Sequence, residues 1–217
     1  MKKFAVVLSG CGVFDGAEIH EATLSMYAIA KQGAAYEVFA PDIAQHHVVN
    51  HLTGEEMKET RNVMTEAARI ARGQVKPLSE FDPAAFDALL FPGGFGAAKN
   101  LSDFAFKGAD CQVQPDVARA ITGMHKAGKP IAALCIAPVL LARVLPKAKI
   151  TIGQDKGTAD AVVSMGAIHE STSHGEVLVD KENKLFTTPC YMLDASIAQI
   201  GEGAENIVRA VLNELSE

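Results

Sequence analysis

Short apolar runs alternate with amphipathic stretches along most of this chain, and this rhythm restricts the folds open to it. Residues 4–8, 36–40, 87–91 and 130–134 are apolar runs of strand length. Helical patterns lie between them. One covers 17–32, with Ile19, Ala22, Met26 and Ile29 on one face, and another covers 115–127; Gly33 and Gly128 stop them. Further helices are expected over 137–145, 159–165 and 204–215, a short strand over 148–152, and a hairpin of 176–179 with 184–188. Strands alternating with helices argue for an α/β fold, a mainly parallel sheet covered on both faces. With 217 residues, one large domain spanning 1–217 fits better than two. The region around 45–80 breaks the rhythm and reads as an insertion within that domain. It holds a helical pattern over 60–72, with Val63, Ala67 and Ile70 inward and Arg61, Glu66, Arg69 and Arg72 outward.

Charge and cysteine content exclude several classes. The formal net charge is −6 and no run of Lys and Arg occurs, so neither nucleic acid nor an anionic membrane is an expected partner. The apolar run after Lys2 and Lys3 is cut short by Gly10-Cys11-Gly12, unlike a signal peptide. No stretch reaches the roughly 20 apolar residues of a membrane span. A soluble, cytoplasmic protein is the expectation. Cys11, Cys111, Cys135 and Cys190 form no CxxC pair and are expected as free thiols. The seven histidines show no metal-ligand spacing, so no metal is expected.

A parallel sheet binds ligands at the carboxyl ends of its strands, which tests each candidate residue. Cys135 follows the run 130–134 and precedes a helical stretch with Pro138 in its first turn. Such a turn projects the side chain above the sheet edge, as in a nucleophile elbow. Free N–H groups at the start of the helix favour a thiolate, so Cys135 is expected to ionise below the ordinary thiol value of about 8.5. Gly93 and Gly94 follow another strand and let the backbone approach a ligand closely. Glu21 sits on a rather apolar helix face, yet spacing alone does not choose it over Glu18. Cys11 follows the first strand and is the second candidate thiol. Its surroundings, Gly10 to Gly16, read GxGxxxG rather than the dinucleotide fingerprint GxGxxG.

In combination these motifs resemble a known superfamily. Glu21 in a helix, Phe91-Pro92-Gly93-Gly94 and Leu134-Cys135-Ile136-Ala137-Pro138 occur in the order of the PfpI-like class I glutamine amidotransferases. Ser9-Gly10-Cys11-Gly12-Val13, Glu18-Ile19-His20-Glu21, Asn50-His51-Leu52-Thr53-Gly54 and residues 92–100 resemble its ElbB-type branch of isoprenoid biosynthesis proteins, also described as glyoxalases. The resemblance covers essentially the whole chain. It implies a flavodoxin-like three-layer sandwich, a homodimer, no cofactor, Cys135 as nucleophile and Glu21 as the carboxyl beside it. Gly93 or Gly94 and Ile136 would offer N–H groups to an oxyanion, with Cys11 and His20 bordering the pocket. One departure matters. Superfamily glutaminases carry a late HxE pattern, and many PfpI-like members a histidine shortly after the nucleophile. Residues 149–155 hold no histidine and no late HxE exists, which argues against glutaminase and protease activity. The resemblance instead implies a glyoxalase acting on glyoxal or another small 2-oxoaldehyde. The alternative is a thiol-based redox or electrophile sensor acting through a protein partner.

Overall fold

A computed structural model describes residues 1–216. The strands are β1 (Lys3–Val7), β2 (Ala35–Ala40), β3 (Val75–Pro77), β4 (Ala88–Phe91), β5 (Ile131–Leu134), β6 (Lys149–Ile150), β7 (Ile168–His169), β8 (Leu178–Asp180) and β9 (Leu185–Thr188). Seven of them form one sheet in the order β3-β2-β1-β4-β5-β9-β8. Every pairing in it is parallel except that of β8 with β9. The helices are α1 (Ile19–Lys31), α2 (Val63–Ile70), α3 (Phe95–Lys99), α4 (Phe104–Lys107), α5 (Pro115–Lys126), α6 (Pro138–Val144), α7 (Lys156–Ser164) and α8 (Ile197–Glu214).

The period-2 geometry of the strands divides the core into two layers. Phe4, Val6 and Leu8 point to the face covered by α1 and α8, while Ala5 and Val7 point to the face covered by α5 and α6. Leu90 and Leu134 join the first layer, and Leu89, Phe91 and Ile131 the second. Burying each large side chain stabilises the fold by about 1.5–3 kcal/mol, so both faces contribute. This is the α/β, flavodoxin-like sandwich expected from the sequence.

Local departures have physical causes. Glu18 is extended, and α1 begins only at Ile19, with the Glu18 carboxylate accepting the Glu21 N–H at 2.7 Å as its cap. Ile19 is exposed and Glu21 is buried, so the inward face of α1 is rotated from the expected one. Glu66, expected outward, is buried between Arg69 at 2.8 Å and Arg61 at 3.5 Å. The region around 45–80 divides in two. Residues 63–77 supply α2 and the edge strand β3, while the loop before them is tied down by bridges Ala44–Asn62 and Val49–Glu56. The short strand expected near 148–152 is β6, which pairs with β7 in a separate ribbon rather than with the main sheet.

Strand order reverses beside β1: the chain goes from β1 outward through β2 and β3, then returns to β4 on the other side. The carboxyl ends of β1, β4 and β5 therefore converge at a switch point, where such sheets hold their ligands.

Candidate active site

Three strand ends build the site. At the end of β5, Leu134 lies opposite Thr188, and the Cys135 N–H donates to the Thr188 carbonyl at 3.0 Å. The chain then turns sharply, with Cys135 at φ +59°, before Ala137 caps α6. A non-glycine residue in this region is strained, and the surrounding sheet holds it there. Cys135 is only 7% exposed.

Glu21 arrives from the first turn of α1 and is fully buried. The Glu18 N–H donates to the Gly93 carbonyl at 2.9 Å, fixing the start of α1 against the turn after β4. Glu21 Oε2 accepts the Gly93 N–H at 2.9 Å, and Oε1 accepts the Tyr191 N–H at 3.2 Å. Gly93 lies between carboxyl and thiol. A Cβ at Gly93 would stand 2.5 Å from Glu21 Oε2 and 2.9 Å from Cys135 Sγ, so no side chain fits there. Gly94, at φ +95°, is pressed against the Gly16 carbonyl and the Glu18 N–H.

Burial controls the electrostatics. It raises Glu21 to about 8, helped by the nearby Glu18 carboxylate and opposed by the Tyr191 N–H, the Cys135 side chain and the Gly93 N–H. Burial, and then the negative charge of Glu21, also push the Cys135 thiol well above its ordinary range; the Gly94 and Ile136 N–H groups pull it down by less. This reverses the expected depression of Cys135. The elbow does supply N–H groups, but desolvation of the sulfur outweighs them.

The expected site residues separate accordingly. Cys135, Glu21, Gly93, Gly94 and Ile136 come together. Gly93, however, spends its N–H on Glu21, which leaves Gly94 and Ile136 as the donors beside the sulfur. The choice between Glu18 and Glu21 resolves cleanly, since Glu18 is the helix cap and Glu21 faces the thiol. His20 stands at the rim, with Nδ1 2.8 Å from the Tyr191 hydroxyl. Cys11 is free, half-buried and in the loop after β1, but its charged neighbours are Glu66, Arg69, Asp15 and Arg61 rather than Glu21. That loop spends N–H groups on itself, Gly12 to the Ala17 carbonyl and Gly16 to Gly12, unlike a phosphate cradle. Tyr191 and buried Cys190 are site residues that the sequence reading missed. They follow strand β9, so the strand-end test applied to 185–188 would have found them. Among the described residues no histidine hydrogen-bonds to Cys135 or Glu21, no group of three or more His, Cys, Asp or Glu is placed to hold a metal, and no helix is long and apolar enough to cross a membrane.

The chain is similar to known proteins over most of its length. The chain is 46% identical over 220 residues to the human glutamine amidotransferase-like class 1 domain-containing protein 3, mitochondrial, covering 97% of this chain and 82% of that protein. It is 39% identical over 227 residues to the zebrafish (Danio rerio) ES1 protein, mitochondrial, covering 96% and 84%. The crystal structure of an isoprenoid biosynthesis protein with amidotransferase-like domain from Ehrlichia chaffeensis superimposes with a TM-score of 0.93 at 33% identity, covering 99% of this chain and 100% of that one. The expected cytoplasmic location is corrected by these relatives: the human and zebrafish proteins, and a rat homologue, are all named as mitochondrial, which points to a mitochondrial rather than a cytoplasmic place. Residues 11–188 match the DJ-1/PfpI family, and the chain belongs to that family.

Proposed function

We propose that this protein is a cofactor-independent glyoxalase of the ElbB type, converting glyoxal or a related small 2-oxoaldehyde to the hydroxy acid. One observation carries the reading: a buried cysteine on a strained turn faces a buried carboxyl that keeps its proton to about pH 8. Isomerising a 2-oxoaldehyde needs a nucleophile on the carbonyl carbon and one group that takes and returns a proton near neutral pH. It releases no amine, so it does not need the histidine that amide hydrolysis uses to protonate a leaving group. The near-complete burial of Cys135 favours a small aldehyde over a bulky substrate. The relationship to the Ehrlichia protein supports the ElbB-type branch. A fold neighbour at 16% identity is named glyoxalase III from Candida albicans, which is consistent with this chemistry on this fold.

The reactive form of the pair has lost one proton, leaving a Glu21 carboxylate beside a Cys135 thiol. Glu21 takes the thiol proton as sulfur bonds to the aldehyde carbon, then returns it to the new alkoxide, giving a hemithioacetal. The Gly94 and Ile136 N–H groups stand beside the sulfur and can stabilise the oxygen as charge develops. Glu21 next removes the hydrogen from that carbon to give an enediolate. Proton transfer between its two oxygens, and return of the Glu21 proton to the second carbon, produce a hydroxyacyl thioester. Water then cleaves the C–S bond, restoring the thiol and releasing glycolate from glyoxal. The net reaction adds one water and requires no oxidant.

The test is product analysis by NMR with glyoxal, wild type against Cys135→Ser. Many equivalents of glycolate from wild type and none above background from the variant are expected. Equal conversion by both would refute the reading. Consumption of about one equivalent, leaving a modified Cys135, would also refute it and favour the sensor. The family resemblance further implies a homodimer, and we propose that assembly here; a monomeric mass in sedimentation would remove it.

A further inference from the structure

Only three residues form the 3-10 turn after β9, Cys190–Met192, and Cys190 there sits at φ +42°. Among the described residues, two hydrogen bonds join this turn to α1. One runs from the Tyr191 N–H to Glu21 Oε1 at 3.2 Å, and the other joins the Tyr191 hydroxyl to His20 Nδ1 at 2.8 Å. The rings are 5.9 Å apart and tilted, so the polar contact rather than stacking links them. One residue thus holds α1 at two adjacent positions, its backbone on Glu21 and its side chain on His20.

We propose that the His20–Tyr191 hydrogen bond is a clasp that holds the turn after β9 against α1 and keeps the Tyr191 N–H on the Glu21 carboxyl. Both are positioning residues, and the inference rests on Glu21 being the proton-carrying partner of Cys135. A carboxylate is stabilised by each N–H it accepts. Loosening the turn removes one of the two backbone N–H groups on Glu21, while the Gly93 N–H stays. Glu21 should then hold its proton to higher pH. The other titratable groups facing it are Glu18 in the first turn of α1, Cys135 on the β5–α6 turn, and Cys190 beside Tyr191. None is altered by the substitutions below.

The test is the pH titration of the Glu21 carboxyl infrared band, assigned by its loss in Glu21→Gln. It is read without substrate in wild type, Tyr191→Phe, His20→Ala and His20→Gln. Tyr191→Phe and His20→Ala should each move the midpoint up by about half to one pH unit, the size of one hydrogen bond. His20→Gln retains a hydrogen-bonding amide and should stay close to wild type. Unchanged midpoints in both Tyr191→Phe and His20→Ala would overturn the clasp. Equal shifts in His20→Ala and His20→Gln would assign the effect to imidazolium charge and overturn it as well. His20 is exposed, so its variants carry the test if Tyr191→Phe fails to fold. Failure of the glyoxalase reading would appear separately, as absent turnover in wild type whose carboxyl titrates as described.

Discussion

Replacing Glu21 by Gln should change how stability depends on pH. In the folded chain Glu21 keeps its proton to about pH 8, because burial and Glu18 disfavour its charge, whereas its ordinary value is 4.5. The folded state therefore binds this proton more tightly than the unfolded state. The resulting stabilisation is complete below pH 4.5 and is lost as pH rises toward 8. The two values are about 3.5 pH units apart, which at about 1.36 kcal/mol per unit corresponds to ~5 kcal/mol across the window. Glutamine cannot titrate, so the variant lacks this slope. It also carries a constant penalty. Both carboxyl oxygens of Glu21 accept backbone N–H groups, and the amide nitrogen of glutamine can accept neither. One N–H then loses its acceptor, at a cost of about 1–3 kcal/mol that does not vary with pH. Urea unfolding of both proteins at several pH values between about 5 and 8 separates the two effects, since all other groups titrate in both. The advantage of the wild type should shrink by about 1.4 kcal/mol per pH unit. A difference that stays constant over this range would refute the buried, protonated Glu21.

Three further outcomes follow from the same geometry. Gly93→Ala places a methyl group against Cys135 and Glu21 Oε2, so it should abolish aldehyde turnover and destabilise the fold by about 1–3 kcal/mol, measured by activity and urea melts. Alkylation by iodoacetamide followed by peptide mass spectrometry should modify half-buried Cys11 before Cys135. The pH midpoint for Cys135 should lie above the ordinary thiol value of about 8.5 and fall in Glu21→Ala, which removes the neighbouring anion; a wild-type midpoint below that value would contradict the dominance of burial.

The sheet was legible because its central strands are buried on both faces, and such strands must be continuously apolar. Phe4, Val6, Leu90 and Leu134 had no other place to go. Elements at the margins carry weaker signals. β3 is an edge strand of three residues containing Lys76 and Pro77, and α3 is a single glycine-containing turn. Their positions are set by pairing with β2 and by packing over the Gly16 turn, contacts distant in sequence. Glu66 was misplaced for a related reason: helical periodicity gives the direction of a side chain but not the two arginines that wait for it.

At the site, position was legible and energetics were not. Cys135 and the glycines after β4 announce themselves by following strands, because ligand chemistry in a parallel sheet gathers at those ends. The direction of the Cys135 shift depends on a comparison that sequence does not supply. Two N–H groups and a helix start favour the thiolate, while loss of solvent and a carboxylate across Gly93 disfavour it. The N–H groups of the elbow are local and readable from the chain. The burial comes from α1, β9 and the turn at Tyr191, all remote in sequence, and it outweighs them. The consequence is a resting pair that keeps the sulfur protonated and ionises first at the carboxyl. In the proposed mechanism Glu21 is the base that activates Cys135, so turnover should rise with pH toward about 8. A rate already at its plateau near pH 6 would require the thiolate form at rest and would shift the role of base away from Glu21.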